Sequence, residues 1–135
     1  MQRKRNPSPP DRDEFYDDPK WKRIRQSVLR RDGYMDREAK RFGKVKQAEV
    51  VHHIFPKDEF PEYAFSVWNL ISLSRQTHNE MHDRETDELT EKGRDLLLRT
   101  ARRNNVPVPE KYEKAKQSQK GKGVRIKRDR YYDYH

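Results

Sequence analysis

The sequence predicts a small α+β domain in which two short strands joined by a loop lead into a helix, with further helices on either side and flexible basic tails. Two apolar runs, "AEVVH" and "VWNLISL", have the length of strands and are bounded by charged or turn-forming residues. The flanking segments show helical spacing of apolar residues and helix-capping residues. Only 30% of residues are hydrophobic and 41% are charged, so the core must be small.

The first predicted helix follows Asp18, whose carboxylate can accept hydrogen bonds from the free amides of the first turn. Pro19 suits the first helical position and Gly33 suits the end of the helix. Trp21 and Val28 belong to a stripe of apolar residues at helical spacing, so this face should pack on the core. The other faces of the helix are basic.

After this helix the sequence predicts a loop or hairpin that turns near Gly43, and then a first strand over residues 48–52. The segment "FPKDEFPEYAFS" should be a loop, because Pro56 and Pro61 interrupt regular structure. A second strand is predicted over residues 67–73.

Two helices are predicted to follow the second strand. The segment "SRQTHNEMHDRET" reads as a helix capped by Ser72 or Ser74, and "LTEKGRDLLLRTARRNN" reads as a helix that starts at Thr90. The residues of the last helix expected to face the core are Leu96, Leu97 and Ala101. Pro107 and Pro109 are expected to end the ordered structure.

These features divide the chain into three parts. Residues 1–16 are charged and proline-rich, which predicts a disordered arm. Residues 17–109 form the predicted domain, with its strand-loop-strand-helix core at about 48–84. Residues 110–135 form a basic flexible tail, in which nine Lys and Arg face three Asp and Glu from Lys111 onward.

The net charge of +9 and a pI near 9.8 favour a polyanionic partner, of which nucleic acid is one class. The chain has no cysteine, so neither a disulfide nor a thiolate zinc site can form. No apolar run approaches the about 20 residues of a membrane span, and the N-terminus lacks the apolar region of a signal peptide. We therefore expect a cytoplasmic protein with no membrane partner.

The histidines are the most informative residues, because four of the five fall between positions 52 and 82. His52 and His53 end the first predicted strand, and neighbouring strand residues point to opposite sides. His78 and His82 are four residues apart on a predicted helix, which places both rings on one face. With His52 as a third ligand they could hold one divalent ion and leave open coordination positions.

These residues also carry a resemblance to a known family. The segment "VVHHIFPKDEFPEYAFSVWNLISLSRQTHNEMH" resembles the motif of HNH endonucleases, whose fold is the ββα-metal (His-Me finger) motif. The upstream "LRRDGYMDREAKRFGK" resembles the segment that leads into this motif in phage and mobile-element HNH proteins. The resemblance covers roughly residues 28–84 and implies hydrolysis of phosphodiester bonds in DNA.

The resemblance implies two catalytic residues. His53 matches the general base, and Asn69 matches the asparagine that ties down the loop and helps to orient that base. The implied metal ligands are His52, His78 and His82. Asn79 is a rival ligand, but it is rotated by about 100° from His78 on a regular helix and therefore ranks lower.

The chain departs from the family pattern at the structural zinc. Many HNH proteins carry two CxxC pairs around the motif, and the matching places here are Asp36, Ala39, Ser74 and Thr77. We therefore expect no structural zinc. Either packing holds the fold or the chain is a variant whose zinc site was removed. The residues expected to pack are Trp21, Ile24, Phe42, Phe65, Trp68, Leu70 and Leu97.

The predicted function is a metal-dependent DNA endonuclease of low sequence specificity, in which Lys57, Arg75 and Arg84 contact phosphates. The cofactor is one divalent ion, with Mg²⁺, Mn²⁺, Ni²⁺, Co²⁺ and Zn²⁺ all open. Phage or mobile-element proteins are possible partners, which would place the protein in the cytoplasm of a bacterial host. The sequence leaves the oligomeric state open.

Two other functions compete with this prediction. The first is a non-catalytic nucleic-acid-binding protein with a degenerate HNH fold, which would not need the intact His53 and Asn69. The second is a three-histidine metal site of purely structural purpose, which predicts that chelation of the metal lowers the melting temperature.

Overall fold

The computed structural model describes the backbone of residues 10–113 and the side chains of residues 14–113. Its regular elements are α1 (Pro10–Asp17), α2 (Pro19–Arg31), α3 (Arg37–Arg41), β1 (Val50–His53), β2 (Leu70–Leu73), α4 (Arg75–Asn79) and α5 (Glu91–Asn104). Helices and a two-stranded sheet in this order confirm the predicted α+β class. No helix of this described part has the length and apolar character needed to cross a membrane.

The sheet is an antiparallel pair in which Val50 faces Leu73 and His53 faces Leu70. The first strand starts two residues later and ends one residue later than predicted. The second strand is shorter than predicted, because residues 67–69 form a 3₁₀ turn in front of it. A loop joins the two strands and contains a second 3₁₀ turn at Pro61–Tyr63.

Side chains from the segment around α2 and α3 complete the outer edge of β2. Backbone amides and carbonyls that have no hydrogen-bond partner are costly when buried, so those on the outer edge of β2 each need a partner. The partners are Asp32 for the amide of Ser72 (3.0 Å), Asp36 for the amide of Ser74 (2.9 Å) and Arg31 for the carbonyl of Leu70 (2.7 Å). These contacts stabilise a sheet that is otherwise too small to stand alone.

Helix α2 forms as the sequence predicts. The Asp18 carboxylate accepts a hydrogen bond from the amide of Lys20, and Trp21 and Val28 are buried. These two side chains pack with Leu70 in a small apolar cluster. A larger cluster fills the space between the sheet and α5, where Leu97 is fully buried.

Helix α4 is shorter than predicted, because it ends at Asn79 rather than continuing to residue 86. Its cap is Ser74, one of the two predicted candidates. Beyond the helix, Thr90 donates hydrogen bonds to the carbonyls of Glu80 and Met81, which turns the chain away from the helical path. Gly93 permits this close approach, since a Cβ there would clash with the Met81 carbonyl oxygen.

Two helices were not predicted from the sequence. Helix α1 occupies residues 10–17, which corrects the predicted disordered arm for its last seven residues; residues 1–9 lie outside the described part. Its Phe15 ring packs against Trp21 and Phe65, both at 5.2 Å between ring centroids.

Helix α3, which Asp36 caps, occupies part of the predicted loop or hairpin. The chain still turns at Gly43, whose φ is 78°, and Met35 pairs with Gln47 in an isolated antiparallel bridge, as a hairpin would require.

The predicted start of the flexible tail at residue 110 is also corrected. Residues 110–113 are helical, and the buried Tyr112 donates a hydrogen bond of 2.6 Å to Glu59 in the interstrand loop. Lys111 forms an ion pair with the same carboxylate. The ordered structure therefore continues past Pro107 and Pro109, and the rest of the predicted tail lies outside the described residues.

Candidate metal centre and active site

The four clustered histidines lie in one cleft of about 390 Å³. Strand β1, the start of the interstrand loop, helix α2 and the segment around α4 form its walls. Its other lining residues include Tyr16, Trp21, Arg25, Lys57, Asp58 and Asp87. His52 and His53 are neighbours on β1, so their side chains point to opposite sides of this strand, as predicted.

Three of these histidines converge. Their ring centroids are 5.2 Å apart for His52 and His78, 5.4 Å for His52 and His82, and 5.9 Å for His78 and His82. One nitrogen from each ring lies within 4.8 Å of the other two. The predicted set of metal ligands is therefore brought together in space.

His82 reaches this cluster by a route that the sequence did not predict. It lies beyond the end of α4, in an isolated β-bridge with Leu89, so the pair with His78 is not a helical one. The Nδ1 of His82 donates to the carbonyl of Asp87 at 3.3 Å. A neutral ring that donates from Nδ1 keeps its lone pair on Nε2, which is the state a metal ligand needs.

His52 supplies the strongest indication that the cluster holds a ligand. It is 2% exposed, and its Nε2 has no hydrogen-bond partner among the described residues. Burial, together with the neighbouring histidines His78, His82 and His53, holds its pKa well below the ordinary value, so the ring is neutral. A buried polar atom without a partner is costly unless a ligand completes it, and neutral imidazoles suit a divalent transition ion.

His53 points to the other side of the strand and is held by different contacts. Its ring stacks on Trp21, with centroids 5.0 Å apart and planes inclined by 20°. Its Nε2 donates to the carbonyl of Ala64 at 3.0 Å, so the neutral ring carries its lone pair on Nδ1. Nδ1 itself has no hydrogen-bond partner within residues 14–113. Burial lowers the pKa of His53 to about 4, against the opposing effect of the Ala64 bond.

Asn69 is fully buried and fastens the loop between the strands. Its Oδ1 accepts a hydrogen bond of 2.7 Å from the amide of Phe55, and its Nδ2 donates to the carbonyls of Phe55 (3.2 Å) and Tyr63 (3.3 Å). Tyr63 directly precedes Ala64, whose carbonyl holds His53. Asn69 is therefore linked to His53 through the backbone of this loop, and none of its hydrogen bonds goes to His53 itself.

Of the three predicted phosphate-binding residues, one lines the cleft and two lie outside it. Lys57 lines the cleft, ion-pairs with Asp58 at 3.2 Å and lies over the Phe15 ring. Arg75 and Arg84 are exposed and do not line the cleft. Asn79, the rival metal ligand, is likewise exposed and outside it.

Arg25 also lines the cleft, but it was not predicted from the sequence as a site residue. Its Nη2 donates to the carbonyl of Glu49 at 3.2 Å, next to the start of β1. The signal that could have found it is its position four residues after Trp21, which puts both side chains on one face of α2.

One solved structure resembles this chain over most of its own length. It is the HNH endonuclease of the deep-sea thermophilic bacteriophage GVE2, whose crystal structure was determined with manganese ion. The two proteins are 30% identical over 51% of this chain and 75% of that chain, with a TM-score of 0.50. This chain belongs to the HNH endonuclease family.

Two other comparisons add nothing to this assignment. No family model matches the sequence, and no curated protein matches it. The membership of this HNH protein therefore rests on the structural match and on the predicted fold and histidine motif that agree with it.

In this HNH protein the places matched to the family's cysteines form a hydrogen-bonded cluster, here named the Asp36 cluster (Asp36, Ala39, Ser74 and Thr77). The buried Asp36 carboxylate accepts from the amides of Ala39 (2.8 Å) and Ser74 (2.9 Å) and from the side chain of Thr77. The hydroxyl of Ser74 bonds that of Thr77 at 3.1 Å. Burial raises the pKa of Asp36, but these hydrogen bonds outweigh it and the net pKa is lowered.

Proposed function

We propose that this protein is a metal-dependent endonuclease that hydrolyses phosphodiester bonds in DNA, with His53 as general base and one divalent ion held by His52, His78 and His82. The observation that carries the proposal is the placement of His53 beside the three-histidine cluster in one cleft. Membership of the HNH family and the basic composition agree with it.

His53 is suited to accept a proton from water. Its low pKa keeps the ring neutral near physiological pH, and the Ala64 contact directs the lone pair to Nδ1. A phosphate group bound nearby would stabilise the protonated ring and raise this pKa toward the operating pH, where general bases work best. The stacked Trp21 would stabilise the same cation.

The three-histidine cluster fits a divalent ion, which would offset the negative charge that builds on the phosphate and on the leaving oxygen. Three neutral nitrogen ligands favour Ni²⁺, Co²⁺, Zn²⁺ or Mn²⁺ over Mg²⁺ in affinity, although affinity does not fix which ion supports turnover. The phage relative was solved with manganese, which makes Mn²⁺ a natural first ion to test. With three ligands from the protein, positions remain open for substrate and water.

Substrate binding would rest on basic residues in and near the cleft. Lys57 and Arg25 line it and are proposed to contact the phosphates that flank the bond to be cut. Arg75 and Arg84 are proposed to contact phosphates farther along the backbone. Such contacts read charge rather than sequence, so we expect low sequence specificity and binding that weakens steeply with salt.

The experiment is cleavage of supercoiled plasmid with EDTA, Mg²⁺, Mn²⁺, Co²⁺, Ni²⁺ or Zn²⁺, using the parent, His53→Ala and Asn79→Ala. We expect the parent and Asn79→Ala to cut with the same ion and His53→Ala to be inactive. Asn79 is a matched control because it is exposed on α4 beside His78 but outside the cleft. A parent that binds DNA and metal without cutting would replace this proposal by the non-catalytic binding function.

A further inference from the structure

A second cleft lies between α3 and α5 and shares no lining residue with the histidine cleft. It measures about 210 Å³, and its floor includes Trp68, Leu70 and Ile71 of the strand region. Four arginines line it, namely Arg37 and Arg41 from α3 and Arg99 and Arg103 from α5. We name it the arginine cleft.

The two inner arginines are fixed by buried carboxylates. Glu38 is 3% exposed and pairs with Arg41 at 3.0 Å and with Arg99 at 2.6 Å. Arg99 also pairs with Asp95 at 3.1 Å. These contacts hold the guanidinium groups rigidly, so less side-chain entropy is lost when they bind a ligand.

The two outer arginines carry the unbalanced charge. Arg103 takes part in none of the ion pairs formed among residues 14–113, and Arg37 has only a contact of 3.4 Å with Asp32. Burial and the positive charges of Arg37, Arg99 and Arg41 lower the pKa of Arg103. The outer part of the cleft is therefore a site of positive potential.

The spacing of the arginines sets two rows side by side. Arg37 and Arg41 are four residues apart on α3, and Arg99 and Arg103 are four residues apart on α5. A separation of four residues places side chains on one face of a helix, about 6 Å apart along its axis. Two such rows facing one small cavity can surround a compact anion from both sides.

We propose that the arginine cleft is a second anion-binding site, which holds a backbone phosphate of DNA outside the histidine cleft. The site rests on the proposed function for the identity of its ligand. Guanidinium forks match phosphate oxygens in a two-point hydrogen-bonding geometry. The small volume suits one phosphate group, and the charge of the whole chain favours a polyanion over a single acidic side chain.

This site would anchor DNA without taking part in the chemistry. Its arginines lie on α3 and α5, whereas no residue of these two helices lines the histidine cleft. Loss of the anchor should weaken DNA affinity and its salt dependence, while the rate at saturating DNA stays the same.

The test compares two double variants that remove equal charge. Arg37→Ala/Arg103→Ala removes the outer arginines, and the control Lys40→Ala/Arg102→Ala removes exposed basic residues from the same two helices. Affinity for a fluorescently labelled duplex is measured by anisotropy in EDTA over a range of salt, and circular dichroism checks the fold. Because the cleft is proposed to hold one phosphate, we expect the cleft variant to lose about one unit of the salt slope and roughly tenfold in affinity, against little change in slope for the control.

Equal losses in the two variants would overturn the proposal. Binding of the same variants to labelled poly-glutamate is measured in parallel. If the cleft variant keeps the parental DNA affinity but loses binding to poly-glutamate, the proposal is overturned and the cleft is a docking site for an acidic protein. Because EDTA prevents cleavage, the result does not depend on activity. A chain that never cleaves but shows the expected difference in slope would leave this site standing while the proposed endonuclease fails.

Discussion

Two buried polar clusters lie close together along this chain, and they differ in how completely they are satisfied. In the Asp36 cluster the carboxylate and hydroxyl groups bond one another and the surrounding amides. In the three-histidine cluster the rings converge, yet the buried Nε2 of His52 has no partner among the described residues. The first cluster is completed by the protein itself, whereas the second leaves a buried nitrogen that the proposed metal ion would complete.

We expect the first cluster to contribute to stability and the second to the proposed function. Asp36 and Ser74 tie the segment before α3 to the start of α4, across a gap of 38 residues. These hydrogen bonds connect two segments at the places where the sequence resemblance predicts the family's zinc-binding cysteines. The proposed metal ligands all lie in the histidine cluster, so we expect a metal to affect activity there and not the connection at Asp36.

The largest expected effect is on the catalytic side. His53→Ala removes the proposed base but none of the proposed metal ligands, so cleavage should fall by about 10²–10⁴-fold. DNA affinity should change little. Single-turnover cleavage and duplex binding, measured on the same preparation, check both statements. Cleavage at the parental rate would remove His53 from the mechanism.

Asp36→Asn should be the most destabilising conservative change in the Asp36 cluster. The new amide group would place a donor against the backbone amide of Ser74 or Ala39, so we expect a loss of about 2–3 kcal/mol in the free energy of unfolding. Urea denaturation measures this value. The refolded variant should bind metal with parental affinity, and a loss of metal binding would mean that the two clusters are not independent.

The Asp36 cluster should also give a defined pH dependence. Folding lowers the pKa of Asp36, so the unfolded chain takes up the proton more readily than the folded one. The stability from this carboxylate is therefore present above its ordinary pKa, near 3.8, and is lost as the pH falls through the folded value. The difference in unfolding free energy between parent and Asp36→Asn should be constant from pH 7 to about pH 5 and shrink below about pH 4. A difference that grows on acidification would contradict this.

The smallest effect is expected for Lys57→Ala. Lys57 lines the histidine cleft but already has Asp58 as a partner, so its loss should raise the KM for DNA by only about threefold to tenfold and leave kcat nearly unchanged. Steady-state cleavage with and without added salt measures it. Lys22→Ala is the matched control, because Lys22 is exposed on α2 and does not line the cleft; an equal effect of both variants would show that position in the cleft is unimportant.

Much of the site could be predicted because it depends on local spacing. Side chains alternate between the two faces of a strand, which separates His52 from His53 on β1. The order of strand, loop, strand and helix brings His78 beside His52. The path to His82 could not be predicted, because α4 stops where Thr90 and Gly93 approach the backbone of residues 80–81. The histidines converge even though the helix assumed for them ends early.

The missed helices depend on contacts made far away in the sequence. Helix α1 lies in a charged, proline-rich segment, and Phe15 packs there against Phe65. Helix α3 has five residues and depends on the Asp36 cap, whose carboxylate also bonds Ser74. Tyr112 is held by Glu59, 53 residues earlier. None of these partners can be identified from periodicity.

The most direct test of the central claim is a titration with Co²⁺, followed by the visible absorption bands that report its ligands. The parent, Asn79→Ala and Asp36→Asn should each bind one ion per chain in the same coordination. His78→Ala, which removes one of the three converging rings, should lose that spectrum and most of the affinity. If His78→Ala binds Co²⁺ like the parent, the three-histidine cluster is not the metal site, and the contrast between the two clusters fails.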